Sequence, residues 1–219
     1  MRIKLAVLAA AVVLFAAAPI FAGTITYNFS GSDVTIPSPS SFTSGGITIT
    51  AYGEVHGTNN KLYQKDDGAS ESGLGLDGTS NDEINPGQEI VLDLTNLISA
   101  GYTNGTLTLG SLQAGEGGQI CDSDSLAHAK AGTHLTGCTG QILESGSSAV
   151  GSSGLIGLGS GYLVFKTDNS NSAPNGNYLI SELQASTPTT TPEPASLFLF
   201  GTALIGLGLI SKRFHGAKA

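Results

Sequence analysis

Glycine recurs about every sixth residue between Gly23 and Thr191, 27 times in 169 positions, and cuts this stretch into short segments. Each glycine inside a helix costs about 1 kcal/mol relative to alanine, so such a chain is poorly suited to helical bundles or coiled coils. What lies between the glycines alternates apolar with polar residues at the period of a half-buried strand. Ile25-Thr26-Tyr27-Asn28-Phe29, Ile47-Thr48-Ile49-Thr50-Ala51 and Ile90-Val91-Leu92-Asp93-Leu94 are the clearest runs, and Leu107-Thr108-Leu109, Tyr162 to Phe165 and Tyr178 to Ile180 continue the series. Turn signals separate them at Pro37 to Pro39, Gly45-Gly46, Asn85-Pro86-Gly87, Asn104-Gly105 and Asn175-Gly176. Leu97 to Tyr102 has room for one helical turn, and Ser145 to Gly161 reads as a long loop or a weak strand pair. The expected fold is all-β: an antiparallel β-sandwich, with the jelly roll as a candidate form of it.

The same stretch holds 16 acidic and 4 basic residues, a net charge of −12 against −8 for the whole 219-residue chain. Nucleic acid is therefore not an expected partner, because nothing supplies the Lys and Arg that neutralise phosphates. The remaining basic residues sit in two apolar ends. At the first, Arg2 and Lys4 precede an apolar stretch from Leu5 to Ala18 and small residues up to Ala22. That order is a secretory signal peptide, residues 1–22, with the mature chain starting at or near Gly23.

The second apolar segment, Ala195 to Ile210, carries no charge and is followed by Ser211-Lys212-Arg213 and Lys218. Sixteen residues cover about 24 Å, short of a hydrocarbon core of about 30 Å, so spanning requires snorkelling of the basic residues or local thinning. Read as a single transmembrane helix over 195–211 with a basic tail 212–219, it places the C-terminus in the cytoplasm and residues 23–191 outside. Between domain and helix, Ser186-Thr187-Pro188-Thr189-Thr190-Thr191 forms an extended Thr/Pro linker, 186–191, which leaves 23–185 for the sandwich domain.

Thr191-Pro192-Glu193-Pro194-Ala195-Ser196-Leu197, a Gly-punctuated apolar helix with Gly201, Gly206 and Gly208, and then Lys212-Arg213 together resemble the PEP-CTERM sorting signal of Gram-negative bacteria, here 192–216. The same kind of tail is also catalogued as an ice-binding-protein C-terminal domain, a label for the tail that implies no ice binding. The resemblance implies export across the inner membrane, transient anchoring there by the C-terminus, and recognition by an exosortase that cuts at or near Pro192-Glu193-Pro194. The final location it implies is the cell surface or the extracellular space. Pro192 and Pro194 each disfavour helix in the residue before them, which keeps Glu193 extended and accessible to a protease. Upstream, Gly73-Leu74-Gly75-Leu76-Asp77 followed by Asn81-Asp82-Glu83-Ile84 resembles a group of cargo domains bearing this signal, from which no function carries over.

Three constellations have chemical potential. Gly73-Leu74-Gly75-Leu76-Asp77-Gly78 has the spacing of a dinucleotide fingerprint but no following helix to receive a pyrophosphate. Asp66, Asp67, Glu71, Asp77, Asp82 and Glu83 form a dense set of oxygen donors in a Gly-rich stretch, either a loop calcium site or a solvated acidic surface. Cys121 and Cys138 in an exported chain point to a disulfide, while His128 and His134 between them make Cys-x6-His-x5-His-x3-Cys an alternative zinc set. No nucleophile elbow, zincin or Walker motif is present, so no catalytic residue is assigned. The expected function is that of a non-enzymatic surface or matrix protein, linked through the sorting family to exopolysaccharide and biofilm. The competing expectation is a secreted carbohydrate-binding or carbohydrate-active module using a jelly-roll face and a loop calcium, with Tyr27, Tyr52, Tyr63, Tyr102, Tyr162 and Tyr178 as candidate stacking platforms.

Overall fold

The alternating runs are strands in the computed structural model, which describes residues 23–68, 70–78, 81–113, 116–143, 145, 149–167, 176–188, 201–202 and 205. In chain order the first eight strands are β1 (Thr24–Asn28), β2 (Val34–Ile36), β3 (Ser40–Ser44), β4 (Ile47–Val55), β5 (Thr58–Asn60), β6 (Leu62–Asp66), β7 (Ser72–Leu76) and β8 (Gln88–Asp93). A five-residue helix α1 (Thr95–Ser99) comes next, then β9 (Asn104–Gly110), β10 (Gly117–Ser123) and a second short helix α2 (Leu126–Lys130). The remaining strands are β11 (Leu135–Thr136), β12 (Ile142–Leu143), β13 (Gly151–Gly157), β14 (Tyr162–Thr167) and β15 (Leu179–Ser186). The chain divides into two units, one of them Gly23–Pro188 and the other residues 1–22 with 189–219; all fifteen strands belong to the first.

Two antiparallel sheets build this unit as a sandwich. Sheet A runs β13-β9-β15-β7-β6-β2, with β1 also paired to β15, and sheet B runs β11-β10-β14-β8-β4-β3, with β12 on β10 and β5 on β4. Strand β1 shows why the sequence reads so plainly: Ile25 and Tyr27 are buried, Thr24, Thr26 and Asn28 are exposed, and Phe29 continues the inner set. Ile49, Ala51, Ile90, Leu92, Leu163 and Phe165 answer from the inner face of sheet B, and Leu74, Leu76, Leu107, Leu109, Ile180 and Leu183 from sheet A, forming one continuous core. Phe29 meets Phe42 edge to face at 5.0 Å, a geometry that ring quadrupoles favour.

Strand β15 holds sheet A together. Its one edge pairs with β9 from Leu179 to Ser186, with a bulge between Ile180 and Glu182, and its other edge pairs with β1 over Glu182 to Ser186 and with β7 at Ile180. The bulge lets Ser181 serve both neighbours: its carbonyl accepts from Phe29 N–H at 3.0 Å and its hydroxyl donates to the Ser72 carbonyl at 2.6 Å.

The structure corrects one expected turn and adds two strands. Asn104-Gly105 opens strand β9 instead of making a turn, because Gly105 sits where a Cβ would press on Leu158 and Leu183. Ser145 to Gly161 contains a seven-residue strand, β13, paired to β9 across a bulge between Ser152 and Leu155. The Gly73-Leu74-Gly75-Leu76 run, within the acidic Gly-rich stretch, forms strand β7 together with Ser72, and all five residues are buried. Its glycines answer to space: a Cβ on Gly75 would collide with the backbone carbonyl of Asp82.

Gly75→Ala is therefore expected to destabilise the domain by about 3 kcal/mol, whereas Gly46→Ala, at φ +79° but with open space around it, is expected to cost about 1 kcal/mol from its left-handed backbone alone. Urea denaturation of the two variants measures both, and equal losses would refute the steric account of Gly75.

Candidate functional site

Of the six carboxylates proposed for calcium, three converge, and they converge on a lysine. Lys65, projecting from β6, places its ammonium 3.4 Å from Asp67, 3.6 Å from Glu71 and 3.4 Å from Glu83. Glu83 is buried and also accepts a 2.6 Å hydrogen bond from the Ser111 hydroxyl. Burial by itself would lower the Lys65 pKa, but Glu83, Asp67 and Glu71 together hold it above the ordinary lysine value. The other three go elsewhere: Asp66 accepts from the Ser72 hydroxyl, Asp77 from the Thr35 hydroxyl and Asp82 from Gly78 N–H. The gathered negative charge thus has an internal cation at its centre, and an ion taking all three carboxylates would have to displace a largely buried ammonium.

A second constellation lies on the outer face of sheet B. Alternation aims Ile90 and Leu92 of β8 at the core and Val91 the other way, where Val91, Val164, Cys121 and Ala129 make a separate buried cluster. The segment between β10 and β12 covers it. Helix α2 starts at Ser125, whose hydroxyl caps His128 N–H at 3.3 Å, and lays Ala129 on the strands. Lys130 lies over the Tyr52 ring at 5.2 Å and pairs with the buried Glu54 at 3.1 Å. That contact is a close ion pair, and among the described residues neither Glu54 oxygen has an aligned hydrogen-bond partner. Glu54 begins a row across the strands, with Glu89, Lys166 and Gln119 in register beside it. Burial raises the Glu54 pKa, partly offset by Lys130, and burial likewise raises Glu89 and Glu116.

Cys121 and Cys138 are disulfide-bonded and close this covering segment. The Cys-His-His-Cys zinc set is thereby excluded, since both sulfurs are in the bond. The two histidines nevertheless come together, stacked with centroids 3.9 Å apart and planes 11° from parallel. Asp124, which belongs to none of the sequence constellations, joins them: its Oδ1 is 2.5 Å from His128 Nδ1 and its Oδ2 is 3.7 Å from His134 Nδ1. The hydrogen bond to His128 lowers the Asp124 pKa below the usual carboxylate value. The available signal was the closeness in sequence of Asp124, His128 and His134, all three between the two cysteines.

The sorting residues Pro192, Glu193, Pro194, Lys212 and Arg213, like the expected signal peptide, lie outside the described residues. Among the described residues no helix is long and apolar enough to cross a membrane. Residues 190–213 match the PEP-CTERM protein-sorting motif, so the chain carries that signal at the position its tripartite sequence indicated. Neither the curated proteins nor the solved structures contain a match to the chain.

The outer layer makes two expectations testable. Replacing both Cys121 and Cys138 by Ala frees a loop closed over 17 positions and is expected to cost about 3 kcal/mol on the chain-entropy account, read as a lower urea midpoint. Glu54, with its raised folded-state pKa, contributes stability that is fully present below the unfolded value of about 4.5 and is lost as pH rises through the folded value. Glu54→Gln should accordingly gain on the wild type between pH 4.5 and pH 7 in parallel denaturation curves; a constant difference across that range would contradict the assignment.

Proposed function

We propose that this chain is an exported protein whose C-terminal signal delivers it to an exosortase at the inner membrane, and whose sandwich domain then serves at the cell surface or in the extracellular matrix without catalysis. The observation that carries the reading is the sorting motif over residues 190–213. The internal disulfide is in keeping with passage through an oxidising compartment. So is the division of charge, with the basic excess confined to the two ends and a domain of −12 between them. Four carboxylates are held by internal cations, Glu83, Glu71 and Asp67 by Lys65 and Glu54 by Lys130. An association with exopolysaccharide completes the proposal.

A groove gives the carbohydrate-binding reading its own support. Thr58, Asn59, Asn60, Lys61, Asp77 and Gln88 line an open depression at the ends of β5 and β8, a set of amide, hydroxyl and charged groups suited to sugar hydroxyls. Among the described residues no aromatic side chain lines it, which leaves it without the apolar platform that sugar rings stack on.

The sorting reading is tested by the intact mass of the mature protein from cells with and without an exosortase. A shorter C-terminus only where the enzyme is present supports it, as does loss of that processing in a Pro192→Ala, Pro194→Ala variant. Identical C-termini in both cells would overturn it. Glycan-array binding that is lost on Asn60→Ala would favour the carbohydrate-binding reading over a purely structural role.

A further inference from the structure

We propose that Asp124, His128 and His134 form a binding site for a borderline divalent transition ion of the Zn²⁺, Cu²⁺ or Ni²⁺ class, built on the disulfide-closed segment that covers sheet B. The ligating atoms of the three side chains already lie within 4.8 Å of one another. Two imidazoles and one carboxylate are the donor set such ions take, with metal–nitrogen and metal–oxygen distances of about 2.0–2.1 Å. Around one tetrahedral ion, donors at those distances stand about 3.3 Å apart. His128 Nδ1 and Asp124 Oδ1, now 2.5 Å apart, would open by under 1 Å to admit the ion, and His134, whose Nδ1 is 3.7 Å from the other carboxylate oxygen, would move in from within the 4.8 Å span of the three ligating atoms. Side-chain rotations supply these shifts, because the three side chains are 40–62% exposed.

The backbone beneath them is held in place. Ser125 caps α2, Ala129 is buried against the strands and Lys130 is tied to Glu54. The chain then reverses through Gly132 at φ +62° and His134 at φ +52°, which returns the second imidazole onto the first. A left-handed backbone is uncommon for a residue with a side chain, though histidine is among those enriched there. The disulfide between Cys121 and Cys138 fixes both ends of this excursion. The site is thus a rigid frame carrying mobile donors. Calcium does not fit it, since Ca²⁺ takes six to eight oxygen ligands and two of the three donors here are nitrogen. Three protein ligands leave at least one coordination position open on the solvent side, for water or for a donor from another molecule.

The test is a titration of the purified full-length protein, disulfide intact, with ZnCl₂ against a chromophoric chelator. One ion per chain is expected, with affinity lowered at least tenfold by His128→Ala or by His134→Ala and unchanged by His56→Ala or His215→Ala. Zinc should raise the melting temperature of the wild type and leave that of the His128→Ala, His134→Ala double variant unmoved. Equal melting temperatures of the metal-free wild type and double variant would show that the fold is intact in both. No binding of Zn²⁺, Cu²⁺ or Ni²⁺, or binding that survives in the double variant, would overturn the site. Displacement of zinc by an equal concentration of CaCl₂ would overturn it as well.

Discussion

The backbone of β15 is hydrogen-bonded along both edges, to β9 on one and to β1 and β7 in succession on the other, and through it the first strand of the domain joins its middle. Sheet A therefore cannot be completed until the last strand of the domain is available. Ile180, Leu183 and Ala185 carry the inner face of that strand into the core, so the same segment closes both the hydrogen-bond ladder and the apolar layer. Contacts of such long sequence separation are slow to form, because loop-closure entropy is spent before they reward it. A domain closed by its final strand can complete its fold only once nearly all of the chain that builds it is available.

Sheet B poses a different problem. Its central strands are apolar on both faces, with Ile90 and Leu92 turned inward and Val91 and Val164 outward, so one sandwich partner is insufficient. The covering layer is a short one, a five-residue helix and a two-residue strand, too small to bury much area by itself. The disulfide and the serine cap supply what hydrophobic area cannot, and the Glu54–Lys130 pair fixes where the helix sits. Placing an ion pair under that layer has a cost, visible in the raised pKa of Glu54, and truncating either partner would leave the other charge poorly compensated.

Strands with one wet face were legible from the sequence, because burial writes a period of two into them. β1, β4 and β9 coincide with alternating runs, whereas β8 and β14, apolar on both faces, and the start of β15 coincide with short continuous apolar runs. Strand β7 was hidden for the opposite reason: buried on both faces and with backbone crossing close at Gly75, it carries glycine and leucine where an outward polar residue would otherwise mark the alternation. Gly105 misled in a related way, since glycine selected for close packing looks the same in sequence as glycine selected for a turn. β5, Thr-Asn-Asn, lacks the apolar residues that would announce it, and β2 and β3, with Val34, Ile36 and Phe42 as their apolar residues, are too short to show a period. Among the site residues, the cysteine pairing could be read from compartment and spacing, whereas the convergence of Asp67, Glu71 and Glu83 on Lys65 depends on which strands become neighbours.

Thr24 stands opposite Ser186, and Gly23 and Thr187 exchange hydrogen bonds through N–H to Oγ1 and N–H to carbonyl contacts, so both ends of the domain leave it at one corner. This has a mechanical meaning. A pull applied between the two flanking segments would unzip the β1–β15 ladder one residue pair at a time, the loading geometry in which a strand pair resists least. A domain tethered by its C-terminal end alone, and pulled against any point on its far side, transmits the force along β15, which is clamped on both edges and loaded in shear. Were the segment before Gly23 absent, no pull could be applied across that corner, and a load on the C-terminal side would enter through β15 alone.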